Sequence, residues 1–529
     1  MRFLMTQQAC VVSNLSLELA QSKLFTNLSF QLPIGQFTGL IGRNGQGKSL
    51  LMSILDGEKT TLPYSGKISW LHPHQHLHQF QRIQSATIAE TLEIEDLYFC
   101  FERINNGTAT LTDFDQVEHL WHLPSEWQQL LESADLPTDL GKSTNQLSEG
   151  QKTKLALCRL FLLKDHYLLL DEPSNHLDTQ GRKWLAQQME LHPTGGLIIS
   201  HDRLLLAHVE GIFNLNHLGL HYYGGNYDLY HRQHQLQIQA LSHSVLQEKR
   251  DLKQLKEQQH QSQKKAQKRK KTGEKLRASG SQATILLDAK KEQSEQSLSQ
   301  LKKQQIKQLT QAKDELQHKQ HQLEYYKSQS FEFTHPTKIS GEILRCYELK
   351  IAYASTNPIQ LAIKAGEKIH LKGVNGCGKS TFFKTIQGLI KPIAGEIYSN
   401  AKLLYLDQNF CLLNQNISAY EFLKSTDSNL SEQQIRTALG NLQIRRDKSL
   451  APISTLSGGE RLKVALVALK FQTVELLLLD EPDNHLDIES RELLARAIRS
   501  FHGSIILVSH DELFVKECGI EESYLLNQS

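Results

Sequence analysis

The chain has 529 residues, of which 39% are hydrophobic. This length and composition predict a folded protein of several domains. The formal net charge of +2 excludes a protein that is basic or acidic throughout. The seven cysteines are scattered and form no CxxC pair, so we expect neither a disulfide framework nor a zinc site, and we predict a reducing cytoplasm. No apolar run approaches the ~18 residues that a membrane helix needs, and the first residues lack the pattern of a signal peptide.

Two glycine-rich stretches, residues 42–49 and 373–380, fit the pattern GxxxxGK[ST], and each follows a strand-like run. Glycines let backbone N–H groups turn toward one anion, and the helix that follows adds its positive end. The lysine reaches the β- and γ-phosphates, and the serine hydroxyl binds Mg²⁺. The predicted nucleotide contacts are Gly42, Asn44, Gly45, Gly47, Lys48 and Ser49 in the first stretch, and Gly373, Asn375, Gly376, Gly378, Lys379, Ser380 and Thr381 in the second.

An eleven-residue string occurs twice with one difference, as LLLDEPSNHLD at 168–178 and LLLDEPDNHLD at 477–487. Its apolar start predicts a buried parallel strand. Each strand ends in two carboxylates, Asp171-Glu172 and Asp480-Glu481, whose side chains alternate between the faces of the strand. One acid can therefore hold a metal ion while the other orients or deprotonates water. Two near-identical copies favour this interpretation over a charged boundary without function.

Two further features are paired. Ser148–Gly150 and Ser457–Gly459 each precede an apolar helical pattern, where a serine is more often only an N-cap but also offers an anion-binding helix start. His201 and His510 follow later strands. The differences 457 − 148, 480 − 171 and 510 − 201 all equal 309, which indicates a duplicated domain. Between lysine and serine the first copy carries 22 more residues (100 against 78); we place this surplus within 80–132, as a small arm or as a longer loop.

Residues 228–338 differ in composition, being rich in Gln, Lys, Glu, His and Leu. Leucines at heptad spacing predict two antiparallel helices with a break between Thr272-Gly273 and Ser279-Gly280-Ser281. A tip at about 264–285 carries a basic run with the single acid Glu274, and its lack of aromatic residues favours contact with phosphates over stacking on bases. The predicted RNA-binding residues are Lys264, Lys265, Lys268, Arg269, Lys270, Lys271, Lys275 and Arg277.

Together these motifs resemble the ABC-F family of ATP-binding cassette proteins over nearly the whole chain. The resemblance implies an α/β fold in which two P-loop ATPase domains, residues 1–227 and 339–529, are joined by an antiparallel helical hairpin, residues 228–338. ABC-F proteins are cytoplasmic translation factors or ribosome-protecting antibiotic-resistance proteins. Their linker enters the ribosomal E site and its tip approaches the P-site tRNA and ribosomal RNA. The resemblance further implies a monomer whose two cassettes pair within one chain.

By the same resemblance two ATP molecules lie between head-to-tail cassettes. The first site joins one motif set to the signature of the other half: Lys48, Ser49, Asp171, Glu172 and His201 with Ser457, Gly458 and Gly459. The second site joins Lys379, Ser380, Asp480, Glu481 and His510 with Ser148 and Gly150. Asp171 and Asp480 are expected to hold Mg²⁺, together with Ser49, Ser380 and Gln408. Glu172 and Glu481 are expected to polarise the attacking water, and the two histidines to contact the γ-phosphate.

Several departures from the family pattern predict two unequal sites. Leu50 stands where Thr381 stands in the second loop, so the first site lacks a hydroxyl. Gln408 follows Tyr405-Leu406-Asp407 in the second half. The first-half run that we match to it, residues 70–73, has proline at the position of Gln408, and the next glutamine, Gln75, lies two residues later. Tyr353 is expected to stack on adenine in the second site only. Glu149 replaces a signature glycine, and a carboxylate beside the polyphosphate of the second site weakens ATP binding unless it points away.

Two other functions stay open from the sequence. A soluble ATPase that docks on a separate membrane transporter has the same motifs, although it does not require the long basic linker. A DNA-binding maintenance ATPase is also compatible, because a basic tip does not distinguish DNA from RNA phosphates. ATP in preference to GTP rests on the resemblance. General translation, rescue of stalled ribosomes and protection from antibiotics all stay open from the sequence.

Overall fold

The computed structural model describes residues 7–19, 22–57, 63–77, 85–175, 177–278, 284–326, 331, 333, 340–353, 357–374, 376–407, 410–427, 430–444, 447–484 and 486–526. The chain divides into two compact units, one formed by residues 1–228 and 329–529 and the other by residues 229–328. We call residues 7–228 the first half and residues 331–526 the second half of the larger unit, and residues 229–328 the helical unit.

The first half is a mixed α/β structure. Its strands are β1 Gln8–Leu19, β2 Ser22–Pro33, β3 Gln36–Ile41, β4 Tyr64–Trp70, β5 His74–Leu77, β6 Tyr167–Asp171, β7 Gly195–Ile199, β8 Gly211–Asn216 and β9 Gly219–Gly224. Its helices are α1 Lys48–Asp56, α2 Ile88–Thr91, α3 Glu95–Asn105, α4 Leu111–Val117, α5 Leu123–Ser133, α6 Glu149–Leu162, α7 Thr179–Leu191 and α8 Arg203–Ala207, with a 3-10 turn at Thr144–Gln146.

The helical unit is built from α9 Tyr227–Ala278 and α10 Thr284–Tyr326. The second half contains β10 Glu342–Lys350, β11 Ile359–Lys364, β12 Lys368–Lys372, β13 Ala394–Ser399, β14 Leu403–Leu406, β15 Leu476–Asp480, β16 Ser504–Val508 and β17 Glu522–Leu525. Its helices are α11 Lys379–Ile386, α12 Ala419–Thr426, α13 Glu432–Asn441, α14 Asp447–Leu450, α15 Gly458–Phe471, α16 Ile488–Ser500 and α17 Glu512–Glu517, with a 3-10 turn at Ile453–Thr455.

Both halves have a parallel sheet at their centre. The strand order is β5-β6-β7-β3-β8-β9 in the first half and β14-β15-β16-β12-β17 in the second; β9 alone in these two sheets pairs antiparallel. The strands β6, β7, β15 and β16 are buried along their whole length, as expected for apolar strands covered on both faces. A smaller antiparallel sheet, β2-β1-β4 or β11-β10-β13, accompanies each. The predicted α/β class with two similar domains is confirmed.

The parallel arrangement positions the functional residues. In each half the strand that precedes the glycine-rich loop (β3, β12) pairs with the strand that precedes the histidine (β7, β16). That strand pairs in turn with the carboxylate strand (β6, β15). Because ligands bind at the carboxyl ends of parallel strands, the loop, the acids and the histidine meet at one edge of each sheet.

The surplus residues of the first half form helices with a core of their own. Isolated bridges pair Thr87 with Ser143 in the first half and Ser418 with Pro452 in the second. The paired residues are 56 positions apart (143 − 87) and 34 positions apart (452 − 418). The whole difference of 22 residues therefore lies between Thr87 and Ser143. Helices α3, α4 and α5 occupy this span and bury Cys100, Phe101, Val117 and Trp127 together. The segment is therefore a compact helical insertion, which the length difference alone did not distinguish from a loop; the bridges place the surplus between 87 and 143, a span that overlaps the predicted range 80–132.

The helices of the helical unit are longer than the sequence suggested. Helix α9 continues through Thr272 and Gly273 to Ala278, so the break does not begin at Gly273; the connecting residues 279–283 lie outside the described part of the chain. One glycine costs a helix only about 1 kcal/mol, and the lysines and leucine around it are good helix formers. Lys319 of α10 donates to Ser244 of α9 over 2.9 Å and pairs with Glu248. None of the described helices is both long and apolar enough to cross a membrane.

Candidate functional site

The glycine-rich loop of the first half adopts the conformation that phosphate binding requires. Gly47 has φ 87° and forms the N-cap of α1, and a Cβ there would lie 1.9 Å from Leu24 Cδ2. Gly42 is equally constrained, because a Cβ would lie 2.4 Å from the Leu215 carbonyl oxygen. Only glycine fits at these two positions, so the tight turn of the loop at the start of α1 depends on them.

Both loop lysines are buried and turned back on their own loops. Lys48 Nζ donates to the Gly42 carbonyl over 2.7 Å and to the Arg43 carbonyl over 3.3 Å. Lys379 makes the same two contacts, with the Gly373 carbonyl over 2.8 Å and the Val374 carbonyl over 3.1 Å. Burial lowers the pKa of Lys48. Each ammonium group is thus held by weak carbonyl acceptors beside a helix N-terminus, where a phosphate oxygen is the stronger partner.

The carboxylate strands end beside these lysines. Asp171 and Asp480 are buried, and the Asp480 carboxylate accepts hydrogen bonds from the Ser380 hydroxyl and from Tyr405 Oη over 3.0 Å. A serine hydroxyl and a carboxylate in contact are hard oxygen ligands that suit Mg²⁺, which keeps several waters and phosphate oxygens as its remaining ligands. No cluster of three acidic, histidine or cysteine side chains that could hold a metal occurs among the described residues. Ser49 is exposed at the start of α1.

Each glutamate pairs with the histidine of its own half. Glu172 Oε1 lies 3.5 Å from His201 Nε2, and Glu481 Oε1 lies 3.3 Å from His510 Nε2. Both glutamates have left-handed backbones, with φ 49° and 48°, and each donates its N–H to the strand that precedes the histidine, at Ile199 and Val508. This strained turn fixes the two carboxylates at the edge of the sheet.

The two glutamates nevertheless differ in their ionisation. Burial raises the pKa of Glu172 to about 8, against the opposing charge of Lys48, so its carboxyl group is largely protonated at neutral pH. The close approach of His510 lowers the pKa of Glu481, and Asn484 Nδ2 donates a hydrogen bond to it over 2.6 Å. Burial holds the pKa of His201 well below its usual value. The pKa shifts of the two glutamates therefore run in opposite directions, and the second site favours an ionised base more strongly than the first.

The halves contact each other directly at these sites. The Asn44 N–H of the first loop donates over 3.0 Å to Asp487 Oδ2, the last residue of the second eleven-residue string. Arg43 in the same loop forms an ion pair with Glu489 at 2.7 Å. Reciprocally, the Thr179 hydroxyl donates over 3.2 Å to the carbonyl of His510. Residues of each half therefore contact the predicted nucleotide-site residues of the other half.

The serine motifs both begin helices. Ser148 caps α6 through a reciprocal pair with Gln151, and Ser457 caps α15 in the same way with Glu460. Gly459 is buried, and a Cβ there would lie 2.4 Å from Ser490 Oγ; Gly150 and Gly458 lie in the first turns. Glu149 is 78% exposed and pairs with Lys152 at 2.8 Å, so its charge is partly neutralised on the helix surface.

The sheet register corrects one sequence match. Tyr405 of β14 pairs with Leu478, and His76 of β5 pairs with Leu169; these partners are 309 residues apart, so His76 is equivalent to Tyr405. Residues 70–73 were matched wrongly because Trp70 ends β4, a strand of the small antiparallel sheet. Three residues after His76 and Tyr405, Gln79 corresponds to Gln408. The sequence contains a signal for this equivalence, because HLHQ at 76–79 and YLDQ at 405–408 share their leucine and glutamine positions.

Some predicted site residues stay untested by the geometry. Asn375 and Gln408 lie outside the described residues, as does Gln79. Tyr353 is described, with φ 59° and 92% exposure, and its stacking on adenine remains a prediction. Gly45, Gly376, Gly378 and Thr381 lie in the loops or in the first turn of the helix that follows.

The predicted RNA-binding residues all lie on α9. Lys264, Lys265, Lys268, Lys271 and Lys275 are exposed, and the side chains of Arg269, Lys270 and Arg277 are outside the described part. Four of the exposed lysines, at 264, 268, 271 and 275, follow the 4-3-4 spacing of one helix face. Like charges at this spacing repel each other, so a polyanion that neutralises them stabilises the helix.

Comparison with known proteins agrees with this site. The ABC transporter family profile matches residues 25–175 and 356–484, more than half of the chain. The chain therefore belongs to the ATP-binding cassette family, with the ATP-binding domain present twice. The predicted resemblance to its F sub-family is confirmed: ATP-binding cassette sub-family F member 3 of Mus musculus is 28% identical over 96% of this chain and 69% of its own length.

Other relatives also align over nearly the whole chain. The ABC transporter ATP-binding protein YfmM of Bacillus subtilis is 28% identical over 96% of this chain and 97% of that protein. Among solved structures, a chain in the complex of archaeal ribosomal stalk protein aP1 and archaeal ribosome recycling factor aABCE1 covers 97% of this chain, with 87% of its own length matched, a TM-score of 0.50 and 18% identity. That similarity shows the fold alone.

Proposed function

We propose that this protein hydrolyses ATP at two composite sites between its halves and that the resulting opening and closing acts on the ribosome through the helical unit. The observation that carries the first part is the contact of Asp487 with the Asn44 N–H, which seats one half on the phosphate-binding loop of the other. A site built from both halves makes nucleotide binding favour closure and makes hydrolysis favour reopening.

The proposed chemistry is phosphoryl transfer to water, in which positioning and charge neutralisation do most of the catalysis. Lys48 and Lys379 exchange their carbonyl contacts for phosphate oxygens. Asp171 and Asp480, with Ser49 and Ser380, would hold Mg²⁺, which would neutralise charge on the phosphates when bound. Glu481 accepts a proton from the attacking water and returns it to the phosphate product, and His510 contacts the γ-phosphate; the bond from that phosphorus to the ADP oxygen breaks as the bond to water oxygen forms. Glu172 and His201 hold the equivalent places in the first site.

The proposed target is ribosomal or transfer RNA. Exposed lysines at 264, 268, 271 and 275 form one basic stripe on α9, suited to a phosphate backbone. The role that the family resemblance predicts lies in the ribosomal E site, with the tip toward the P-site tRNA. This role identifies the phosphate backbone as that of ribosomal or transfer RNA. Within this role the protein is a general translation factor or an antibiotic-resistance protection factor, and it works in the cytoplasm as a monomer.

This function predicts an ATPase that ribosomes stimulate. Purified protein with ATP and Mg²⁺ should release phosphate, and added ribosomes should raise the rate several-fold because RNA contacts bias the opening and closing that limit turnover. Phosphate release is measured with and without ribosomes, and with double-stranded DNA at equal nucleotide concentration as the control. Stimulation by DNA and not by ribosomes would favour the DNA-maintenance alternative and contradict the proposal.

A further inference from the structure

We infer that Arg491 is a positioning residue that couples the two ATP sites, so that nucleotide at the first site sets the catalytic histidine of the second. This inference rests on the proposed ATP hydrolysis. It is carried by a series of hydrogen bonds that runs from the first phosphate-binding loop through Arg491 to Asp511, whose chain neighbour His510 lies 3.3 Å from Glu481.

The series begins where the second half touches the first site. Asp487 receives the Asn44 N–H over 3.0 Å and also caps α16, accepting from the Ser490 N–H over 2.8 Å. The Arg491 N–H then donates to the Asp487 carbonyl over 2.9 Å. Arg491 therefore lies one turn into a helix whose first residue rests on the loop that binds phosphate. A movement of that loop on filling with nucleotide moves this turn.

The series continues to the second site through a buried ion pair. Arg491 Nη1 donates to Asp511 Oδ2 over 2.6 Å, and both side chains are buried. Asp511 Oδ1 separately caps α17, so the residue is held on both oxygens. Its neighbour is His510, whose Nε2 lies 3.3 Å from Glu481. Buried, directly bonded ion pairs transmit displacement because breaking one leaves an unpaired charge.

The charge of Arg491 reaches the first site as well. Burial raises the pKa of Glu172 and lowers that of His201; the positive charge of Arg491 opposes the first shift and adds a smaller part to the second. Arg491 thus acts electrostatically on the first site while its guanidinium group bonds Asp511, the residue next to the histidine of the second. A purely structural arginine within the second half has no need for this placement.

The equivalent path through the first half is looser. Arg182 corresponds to Arg491 by the 309-residue repeat, and its Nη1 lies 3.3 Å from Asp202 Oδ2, against 2.6 Å for the Arg491 pair. We therefore assign most of the coupling to Arg491 and less to Arg182. The two arginines provide an internal comparison at equivalent positions.

A double-mutant cycle tests the inference in full-length protein carrying Glu172→Gln, so that only the second site turns over. Lys48→Ala, which empties the first site, should lower turnover about tenfold, within the range of measured coupling between sites. Arg491→Gln should give a similar loss by itself. If Arg491 carries the coupling, the two changes together should cost about tenfold and not about a hundredfold. Arg491→Lys should restore the parental rate and the parental response to Lys48→Ala.

Arg496→Gln, on the exposed side of the same helix, is the matched control; the full loss from Lys48→Ala should persist in it. Arg182→Gln should leave most of that loss in place. If the fold-losses in turnover from Arg491→Gln and Lys48→Ala multiply in the combined variant, the inference is overturned. The inference is also overturned if Lys48→Ala causes its full loss of turnover in a protein that carries Arg491→Gln. If neither the unsubstituted protein nor the Glu172→Gln parent hydrolyses ATP, the proposed function fails together with the inference.

Discussion

Glu481→Gln should remove nearly all ATP hydrolysis, whereas Glu172→Gln should reduce it only a few-fold. The nearby His510 favours the ionised form of Glu481 and the hydrogen bond from Asn484 orients it, so the glutamine variant loses a base that is in place, an effect of about 10²–10⁴ in turnover. Burial keeps Glu172 largely protonated at neutral pH, so its amide replacement changes less. Phosphate release from each single variant at saturating ATP measures the difference.

The pH dependence of the residual activity provides the control for this prediction. The pKa of Glu172 is raised to about 8, so its ionised fraction grows as the pH increases through that value. The Glu481→Gln variant should therefore hydrolyse ATP faster at pH 9 than at pH 7, while the double glutamine variant should not respond. Equal losses from the two single variants would show that the sites are equivalent and contradict the account.

Neutralising the lysine stripe should weaken ribosome binding by roughly 100-fold at physiological salt and lower the log–log salt slope by about 3, as expected for four lost phosphate contacts. The variant changes Lys264, Lys268, Lys271 and Lys275 to glutamine. These side chains are exposed on one face of α9, and glutamine keeps a high helix propensity, so the helix should persist. Binding is measured by sedimentation over a series of salt concentrations.

The matched control changes the same number of charges elsewhere in the helical unit. Lys302, Lys303, Lys307 and Lys313 are exposed on α10, and their replacement by glutamine should change the affinity less than about threefold, because non-specific charge alone gives a weak, diffuse attraction. Basal ATP hydrolysis should be unchanged in both variants. Similar losses from both sets would mean that total charge, and not the stripe, determines binding.

Much of the site was predictable because its residues are adjacent in sequence and repeated. A GxxxxGK[ST] loop specifies its own backbone, since Gly42 and Gly47 occupy conformations that side chains would block. The 309-residue repeat also predicted the duplicated α/β domains that the parallel sheets show. These features depend on local geometry, which a short string of residues determines.

Features that depend on tertiary pairing were predicted less well. Residues 70–73 were matched to residues 405–408, but only the pairing of His76 with Leu169 shows that His76 is the equivalent of Tyr405. The helical insertion has its own core around Trp127, and a length difference carries no such information. The contrast between Glu172 and Glu481 arises from burial and neighbouring groups, since the two stand in nearly identical strings.

The most direct test of the central claim is ribosome sedimentation of the Glu172→Gln, Glu481→Gln double variant. If nucleotide joins the halves and thereby sets the helical unit against RNA, this variant should bind ATP without hydrolysing it and pellet with ribosomes in ATP but not in ADP. Lys48→Ala added together with Lys379→Ala should release it. A double glutamine variant that binds ATP and yet stays in the supernatant would contradict the account.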